Sequence, residues 1–273
     1  MPTSSLDRLL SLSACVAIAH RGGSKLSPEN TLAAFGRAAS LGVDAIECDV
    51  RLSRDGEVVV IHDETVDRTT DRSGRVADFT ADELAALDAG YHFGAEDGFP
   101  RRGQGIGVPR LGDALLQWPT MPFVIEIKGD RVSDVDRVLA VVRAAGAEGR
   151  VILGGFDAGV LRAVRSLAPG LATSASSLEV RAALRRAMVF LRPRPTGYQA
   201  FQVPHVFRGR RILRRSFVQA ARRAGIPVHV WVVDDPAEMH TLLNWGVAGL
   251  ISDRPDLAVA ARDEARARRQ SDS

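Results

Sequence analysis

Eight short apolar, β-branched runs recur along the chain, at residues 16–19, 45–49, 123–127, 151–154, 171–174, 199–203, 228–232 and 249–251. Segments with helical spacing of apolar residues fill most of the gaps, at 31–41, 134–145, 158–167, 178–190, 216–224 and 236–245. A strand can lie parallel to the previous one only if the chain crosses back, and a helix is the usual crossover, so this alternation predicts a parallel sheet. Eight such units are what a TIM-type (β/α)8 barrel requires, and a length of 273 residues suits one. A doubly wound open sheet is the alternative α/β fold. Punctuation agrees: Gly42, Gly146, Gly225 and Gly246 each follow a helical segment, where a left-handed residue ends a helix.

One place breaks the rhythm. The run ending at Leu52 and the run 57–62 are joined only by Ser53-Arg54-Asp55-Gly56. A parallel crossover needs about a dozen residues, whereas Asp-Gly marks a hairpin. Residues 58–62 are therefore expected to fold back antiparallel as an arm on the second strand, returning His62 to the vicinity of Glu47. Residues 64–112 are turn- and glycine-rich with one short helix after Thr80, and are expected to form an insertion over the barrel mouth. The expected organisation is a single catalytic barrel over 14–260, including that insertion, followed by a charged tail over 261–273 that forms a frayed helix.

Hydrophobic residues make up 45% of the chain, enough for a sizeable core, yet no stretch approaches the roughly 20 apolar residues of a membrane span. The start of the chain lacks a basic segment followed by a long apolar run, so no signal peptide is expected. Two cysteines cannot make a disulfide framework, and Cys15 and Cys48 are expected as buried free thiols. Together these features predict a cytoplasmic protein.

Charged groups gather at strand ends in the first half: His20-Arg21, Glu47-Cys48-Asp49, His62-Asp63 and Glu126-Ile127-Lys128. Residues i and i+2 of a strand share a face, so Glu47 points with Asp49, and Glu126 with Lys128. Barrels place their active sites at the C-terminal ends of the strands. Three carboxylates converging there repel one another unless a hard divalent cation, Mg²⁺ or Ca²⁺, or ordinary pairing with arginine and lysine neutralises them. No thiolate cluster suggests structural zinc. Two imidazoles titrating near neutrality suit an acid–base pair, with Asp63 either orienting a ring or capping a turn. Arg21 and Lys128 offer cations to phosphate oxygens. Trp231, at the end of the seventh run, is placed either to wall a substrate pocket or to pack in the core, and Gly22-Gly23 to form a tight turn or an approach for an anion. His92, His205, His229 and His240 are assigned to structure, and Asp253 to capping the last helix.

These residues resemble the glycerophosphodiester phosphodiesterases in their bacterial, metal-dependent form. The matching elements are Ala19-His20-Arg21-Gly22-Gly23, Pro28-Glu29-Asn30-Thr31, Glu47-Cys48-Asp49-Val50, Ser53-Arg54-Asp55-Gly56, Val60-Ile61-His62-Asp63, Asp67-Arg68-Thr69-Thr70, Ile125-Glu126-Ile127-Lys128, Val230-Trp231-Val232-Val233 and Ser252-Asp253-Arg254-Pro255, in family order over residues 16–257. The resemblance implies a TIM barrel with a small insertion after the second histidine, and hydrolysis of glycerophosphodiesters to glycerol 3-phosphate and an alcohol. It also implies catalytic His20 and His62, a divalent ion held by Glu47, Asp49 and Glu126, and phosphate contacts from Arg21 and Lys128. Glu29 matches a family position near the site. Cys48 and Val232 depart from the family's commoner residues without touching this chemistry.

Residues 181–215 hold ten arginines and no acid, leaving 26 basic against 33 acidic residues elsewhere. Such a patch can meet an anionic membrane or nucleic acid, or be a solvated helix face. It supports two alternatives: a lysophospholipid-type phosphodiesterase in peripheral contact with a membrane, or a non-enzymatic basic binding module. The first partner expected is the small glycerophosphodiester; no nucleic acid partner is expected.

Overall fold

The computed structural model describes residues 4–207 and 209–271. Eight parallel strands form a ring: β1 (Val16–Ala19), β2 (Ala45–Leu52), β4 (Phe123–Ile127), β5 (Val151–Gly154), β6 (Ala172–Thr173), β7 (Phe201–Pro204), β10 (Val228–Trp231) and β11 (Gly249–Ser252), with β11 pairing β1. Closure between β6 and β7 is slight. It consists of a parallel bridge between Ser174 and Ala200, with the Gln199 amide donating to the Thr173 carbonyl at 2.9 Å. That closure decides for the barrel over the open sheet.

Helices α2 (Leu32–Ser40), α5 (Val135–Ala144), α6 (Ala158–Leu167), α7 (Ser177–Met188), α8 (Arg215–Arg223) and α9 (Pro236–Trp245) lie where the apolar spacing places them. Side-chain caps start several of them, as where the Thr31 hydroxyl accepts the Ala34 amide and Ser176 accepts that of Glu179. The arm β3 (Val58–Val60) pairs antiparallel with β2, Val50 opposite Val60, through the turn at Gly56, whose φ of 78° suits glycine.

Strand periodicity explains the interior. At the lower end Val16, Ile18, Ala45, Val124, Ile152 and Ile251 pack into one cluster, while their neighbours Ala17, Ile46, Phe123, Ile125 and Leu250 face the helices. One layer higher on the same faces stand Glu47, Asp49, Glu126 and Trp231. The barrel is therefore apolar below and charged above.

The bottom is closed by α1 (Ser5–Leu9), a capped turn of helix that lies before the barrel expected from the sequence. Leu9 is buried, and its carbonyl lies 2.9 Å from Nε2 of the buried His229. Nδ1 of that ring has no partner among the described residues. Burial pushes the His229 pKa down to about 4, so the ring is neutral in the folded protein. An unfolded histidine takes up its proton near pH 6.5. The native state therefore loses stability as pH falls from about 6.5 to about 4, by an amount on the order of 3 kcal/mol in full. His229→Gln is expected to flatten the urea-unfolding free energy over that window relative to wild type; parallel curves would refute it.

Two expectations need correction. The gap 64–112 is not wholly an insertion, because α4 (Leu111–Gln117) is the crossover helix leading into β4, with Leu111 and Leu115 buried. It escapes a sequence reading because it is short and Arg110 gives no side-chain cap. The rest, with α3 (Ala81–Ala85), has a small core of its own against the arm, built on Val59, Val66, Val76, Leu84 and Val108. The tail is helical as expected, but over 261–271 it continues the last helix without fraying: α10 runs Pro255–Ser271. Arg262 and Arg266 bind Asp44 at 2.8 and 2.9 Å, tying the helix to the start of β2. Residues 272–273 of the expected tail lie outside the described residues. A two-residue hairpin, β8 (Val206–Phe207) with β9 (Arg210–Arg211), rises after β7. Both cysteines are buried and free. Among the described residues no helix is long and apolar enough to cross a membrane.

Candidate active site

The upper end of the barrel opens into a cavity of about 820 Å³, whose lining includes His20, Arg21, Glu47, Asp49, His62, Glu126, Lys128 and Trp231. Asp49 and Glu126 are register partners on β2 and β4, and Glu47 shares their face two residues below Asp49. One oxygen from each of the three lies within 4.8 Å of the others. The ladder thus assembles the cluster that the E-x-D spacing suggests.

Charge in the cluster is partly balanced from within. Lys128 Nζ sits 2.9 Å from Asp49 and 2.5 Å from Glu126, and Arg21 Nε is 3.2 Å from Asp49. Burial would raise the Asp49 carboxyl, but Lys128, Arg21 and the amide of Asn30 overcome that and hold it below its usual range. Glu47 has less help. Its Oε2 accepts the Arg21 amide at 2.9 Å and stands 3.9 Å from His20 Nε2. Burial, then repulsion from Asp49, push its pKa up to about 7. Glu126 is raised too, chiefly by burial. Three oxygen donors, one of them under-compensated, make a chemically suitable seat for a hard divalent cation.

Each histidine has its inner nitrogen engaged. His20 Nδ1 lies 2.6 Å from Asp253 Oδ1, leaving Nε2 toward Glu47. Burial opposes protonation there, but the Glu47 charge and the Asp253 bond outweigh it and raise the pKa. His62 Nδ1 lies 2.6 Å from Asp63 Oδ1; burial lowers this ring's pKa despite that bond. Asp63 thus orients a ring. Asp253 does so as well, a correction to its reading as a helix cap; the spacing along the chain, 233 residues from His20, holds no sign of it.

Two more residues stand in the matching motifs with no role assigned from the sequence. Asn30, with a left-handed φ of 56°, exchanges hydrogen bonds with Asp49, its amide donating to Oδ2 at 2.9 Å and its Oδ1 accepting the Asp49 N–H. Arg68, from the insertion, binds Glu29 through both terminal nitrogens at 2.7 and 2.8 Å and donates from Nε to Asp63. Glu29 also accepts from Arg21 at 2.7 Å. A continuous chain of ion pairs, Asp49–Arg21–Glu29–Arg68–Asp63, therefore ends on His62. Gly22-Gly23 proves to be a tight turn: both have positive φ, and a Cβ at Gly22 would lie 2.7 Å from that of Ala34, one at Gly23 2.7 Å from Pro255.

The profile of the Glycerophosphoryl diester phosphodiesterase family matches residues 20–257, nearly the whole barrel. The chain belongs to this family. It is 35% identical over 254 residues to a glycerophosphodiester phosphodiesterase of Caldanaerobacter subterraneus subsp. tengcongensis, covering 89% of this chain and 96% of that one. Its fold is similar to the crystal structure of a glycerophosphodiester phosphodiesterase from Agrobacterium tumefaciens, with a TM-score of 0.72, 31% identity and 91% and 99% of the chains covered. It is also similar to an Oleispira antarctica phosphodiesterase solved with the product sn-glycerol-3-phosphate (TM-score 0.74, 26% identity, 90% and 96% covered). Members of the family are typically dependent on a divalent metal, in keeping with the acidic cluster of this chain.

Proposed function

We propose that this enzyme hydrolyses glycerophosphodiesters to glycerol 3-phosphate and an alcohol, with His20 and His62 as the acid–base pair. The observation that carries the reading is the convergence, at one barrel mouth, of three carboxylates with two histidines whose Nδ1 atoms are each fixed by an aspartate. Glu47, Asp49 and Glu126 would hold a divalent cation, Mg²⁺ or Ca²⁺. When bound, such an ion polarises phosphoryl oxygen.

The chain's own groups do the rest. Asp253 and Asp63 hold the two rings by their Nδ1 atoms, which leaves each Nε2 for proton transfer, and one ring takes the proton of the attacking hydroxyl or water while the other protonates the leaving alcohol. Arg21 and Lys128 offset charge on the phosphoryl oxygens. Trp231, packed edge-to-face on Phe156 with ring centres 6.0 Å apart, walls the substrate. The test is release of glycerol 3-phosphate from glycerophosphocholine, glycerophosphoethanolamine and glycerophosphoglycerol. Failure on all three with divalent metal supplied would sink the proposal.

Arg68 is a positioning residue in this scheme, since among the described residues it reaches the cavity groups through Glu29 and Asp63. Arg68→Ala is expected to lower kcat about tenfold. In a double-mutant cycle with Asp63→Asn the combined loss should fall well short of the product of the single losses, because both act on the His62 ring. Fully multiplicative losses would separate Arg68 from His62.

A further inference from the structure

The imidazole of His20 and the carboxylate that holds it both stand on loops. Register pairs Ala19 of β1 with Ser252 of β11, so the next residues, His20 and Asp253, emerge side by side. Beyond that pair the chain leaves both strands. On the His20 side it enters a tight turn in which Arg21, Gly22 and Gly23 have left-handed φ values of 52°, 81° and 97°. A contact of 2.6 Å between two loop residues keeps its geometry only where something other than the ladder fixes both loops.

Asp234 does this. It follows β10, the strand beside β11. The Val233 amide donates to the Ile251 carbonyl at 3.1 Å, and at the next residue a side chain takes over from the backbone. Asp234 Oδ1 accepts the Asp253 N–H at 2.9 Å and the Ser252 hydroxyl at 2.8 Å. Its Oδ2 lies 2.9 Å from Nζ of Lys25, on the His20 loop, and the Lys25 amide donates to the Asp253 carbonyl at 3.2 Å. One carboxylate thus touches both loops. The two halves of this clasp differ in weight. Lys25 is 57% exposed, and an ion pair at the surface contributes little. Ser252 is fully buried, so its hydroxyl and the neighbouring amide lose much more if their acceptor goes. Helix capping does not account for Asp234, because Asp235 caps α9, accepting the Glu238 amide at 2.8 Å.

Building on the phosphodiesterase reading, we propose that Asp234 is a positioning residue for His20: its Oδ1 fixes the Asp253 backbone, and Asp253 in turn fixes the imidazole for proton transfer. Asp234 acts through Asp253 and does not itself line the cavity. Its effect falls on kcat, since ring alignment governs the proton step and not the hold on phosphate, which belongs to Arg21, Lys128 and the cation. The site requires an oxygen acceptor at that point rather than a charge. An asparagine carbonyl there has two lone pairs and accepts both bonds. A glutamate keeps the charge but carries its oxygens one methylene further.

The experiment follows steady-state hydrolysis of glycerophosphocholine, with Mg²⁺ supplied, across variants of the full chain. Asp234→Ala is expected to lower kcat about 10- to 100-fold with KM within about twofold, the size of loss that a misplacement of about 1 Å produces. Asp234→Asn should keep kcat within about threefold of wild type, because the acceptor survives. Asp234→Glu should follow the alanine variant, and stands in for it if alanine prevents folding. In an Asp253→Ala background, Asp234→Ala should cost less than about twofold more, since the link it supports is already gone. The short His20–Asp253 bond gives a readout without turnover. Its downfield Nδ1 proton resonance, identified by its loss in His20→Ala, is expected in wild type and Asp234→Asn and absent in Asp234→Ala and Asp234→Glu. Wild-type kcat in either of those last two variants overturns the proposal, as does an asparagine variant as impaired as the alanine one. The full loss repeated in the Asp253→Ala background also overturns it and assigns Asp234 to the fold. If the wild type hydrolyses no glycerophosphodiester, the phosphodiesterase reading fails, and the resonance alone decides the clasp: unchanged in Asp234→Ala, it overturns the positioning role as well.

Discussion

His20→Ala and His62→Ala are each expected to lower kcat for glycerophosphocholine by about 10²–10⁴-fold, the usual contribution of a positioned acid or base. Each substitution removes a ring that an aspartate holds at the cavity: Asp253 at 2.6 Å for His20, Asp63 at 2.6 Å for His62. Both rings sit at strand or arm ends above the packed layer, so the thermal unfolding midpoint should move by only a few degrees. Combining the two should give a loss close to the larger single effect, since a broken proton pathway is not broken twice. Near-wild-type turnover in either variant would remove that residue from the chemistry. A collapsed midpoint would instead assign it to the fold.

The second large effect concerns the cation. EDTA is expected to reduce turnover to background, and added Mg²⁺, Ca²⁺ or Mn²⁺ to restore it. The same ion should raise thermal stability, because it binds only where the barrel has assembled the three carboxylates; at a hundredfold excess over Kd the gain is about 2.7 kcal/mol.

Glu47 makes this specific. Its carboxyl is pushed up to about 7 in the folded chain, first by burial and then by Asp49. An unfolded glutamate ionises near 4.3. Folding without metal therefore becomes progressively less favourable as pH rises from about 4.3 to about 7, by on the order of 3 kcal/mol. Glu47→Gln should relieve that penalty, so the metal-free variant is at least as stable as metal-free wild type at pH 7 and above. The same variant should lose both the stabilisation by metal and the activity. A variant that is less stable without metal, yet still stabilised by it, would show that Glu47 is neither strained nor a ligand.

Much of the site could be read along the chain because its donors lie on strands. Period two puts Glu47 beside Asp49, and Asp55-Gly56 is a turn that brings the arm back, so two local rules predicted the cluster and the return of His62. What those rules could not supply were groups acting across the fold. Asp253 reaches His20 only because β11 lies beside β1, Arg68 reaches Asp63 and Glu29 through an irregular loop, and Asn30 meets Asp49 from a turn. The crossover α4 and the closing helix α1 were missed for another reason: each is short and stabilised by burial of one or two leucines rather than by periodicity.

The sequence by itself determined the strand–helix alternation, the alternating faces that stack charge above an apolar floor, and the residue types of the chemistry, because these follow from periods of two and 3.6 residues and from the scarcity of charge within apolar runs. Only the tertiary structure decided that the ring closes between β6 and β7 and which carboxylate holds each imidazole. Those features depend on contacts between segments tens to hundreds of residues apart, and their register is set by packing of the whole barrel rather than by any local pattern.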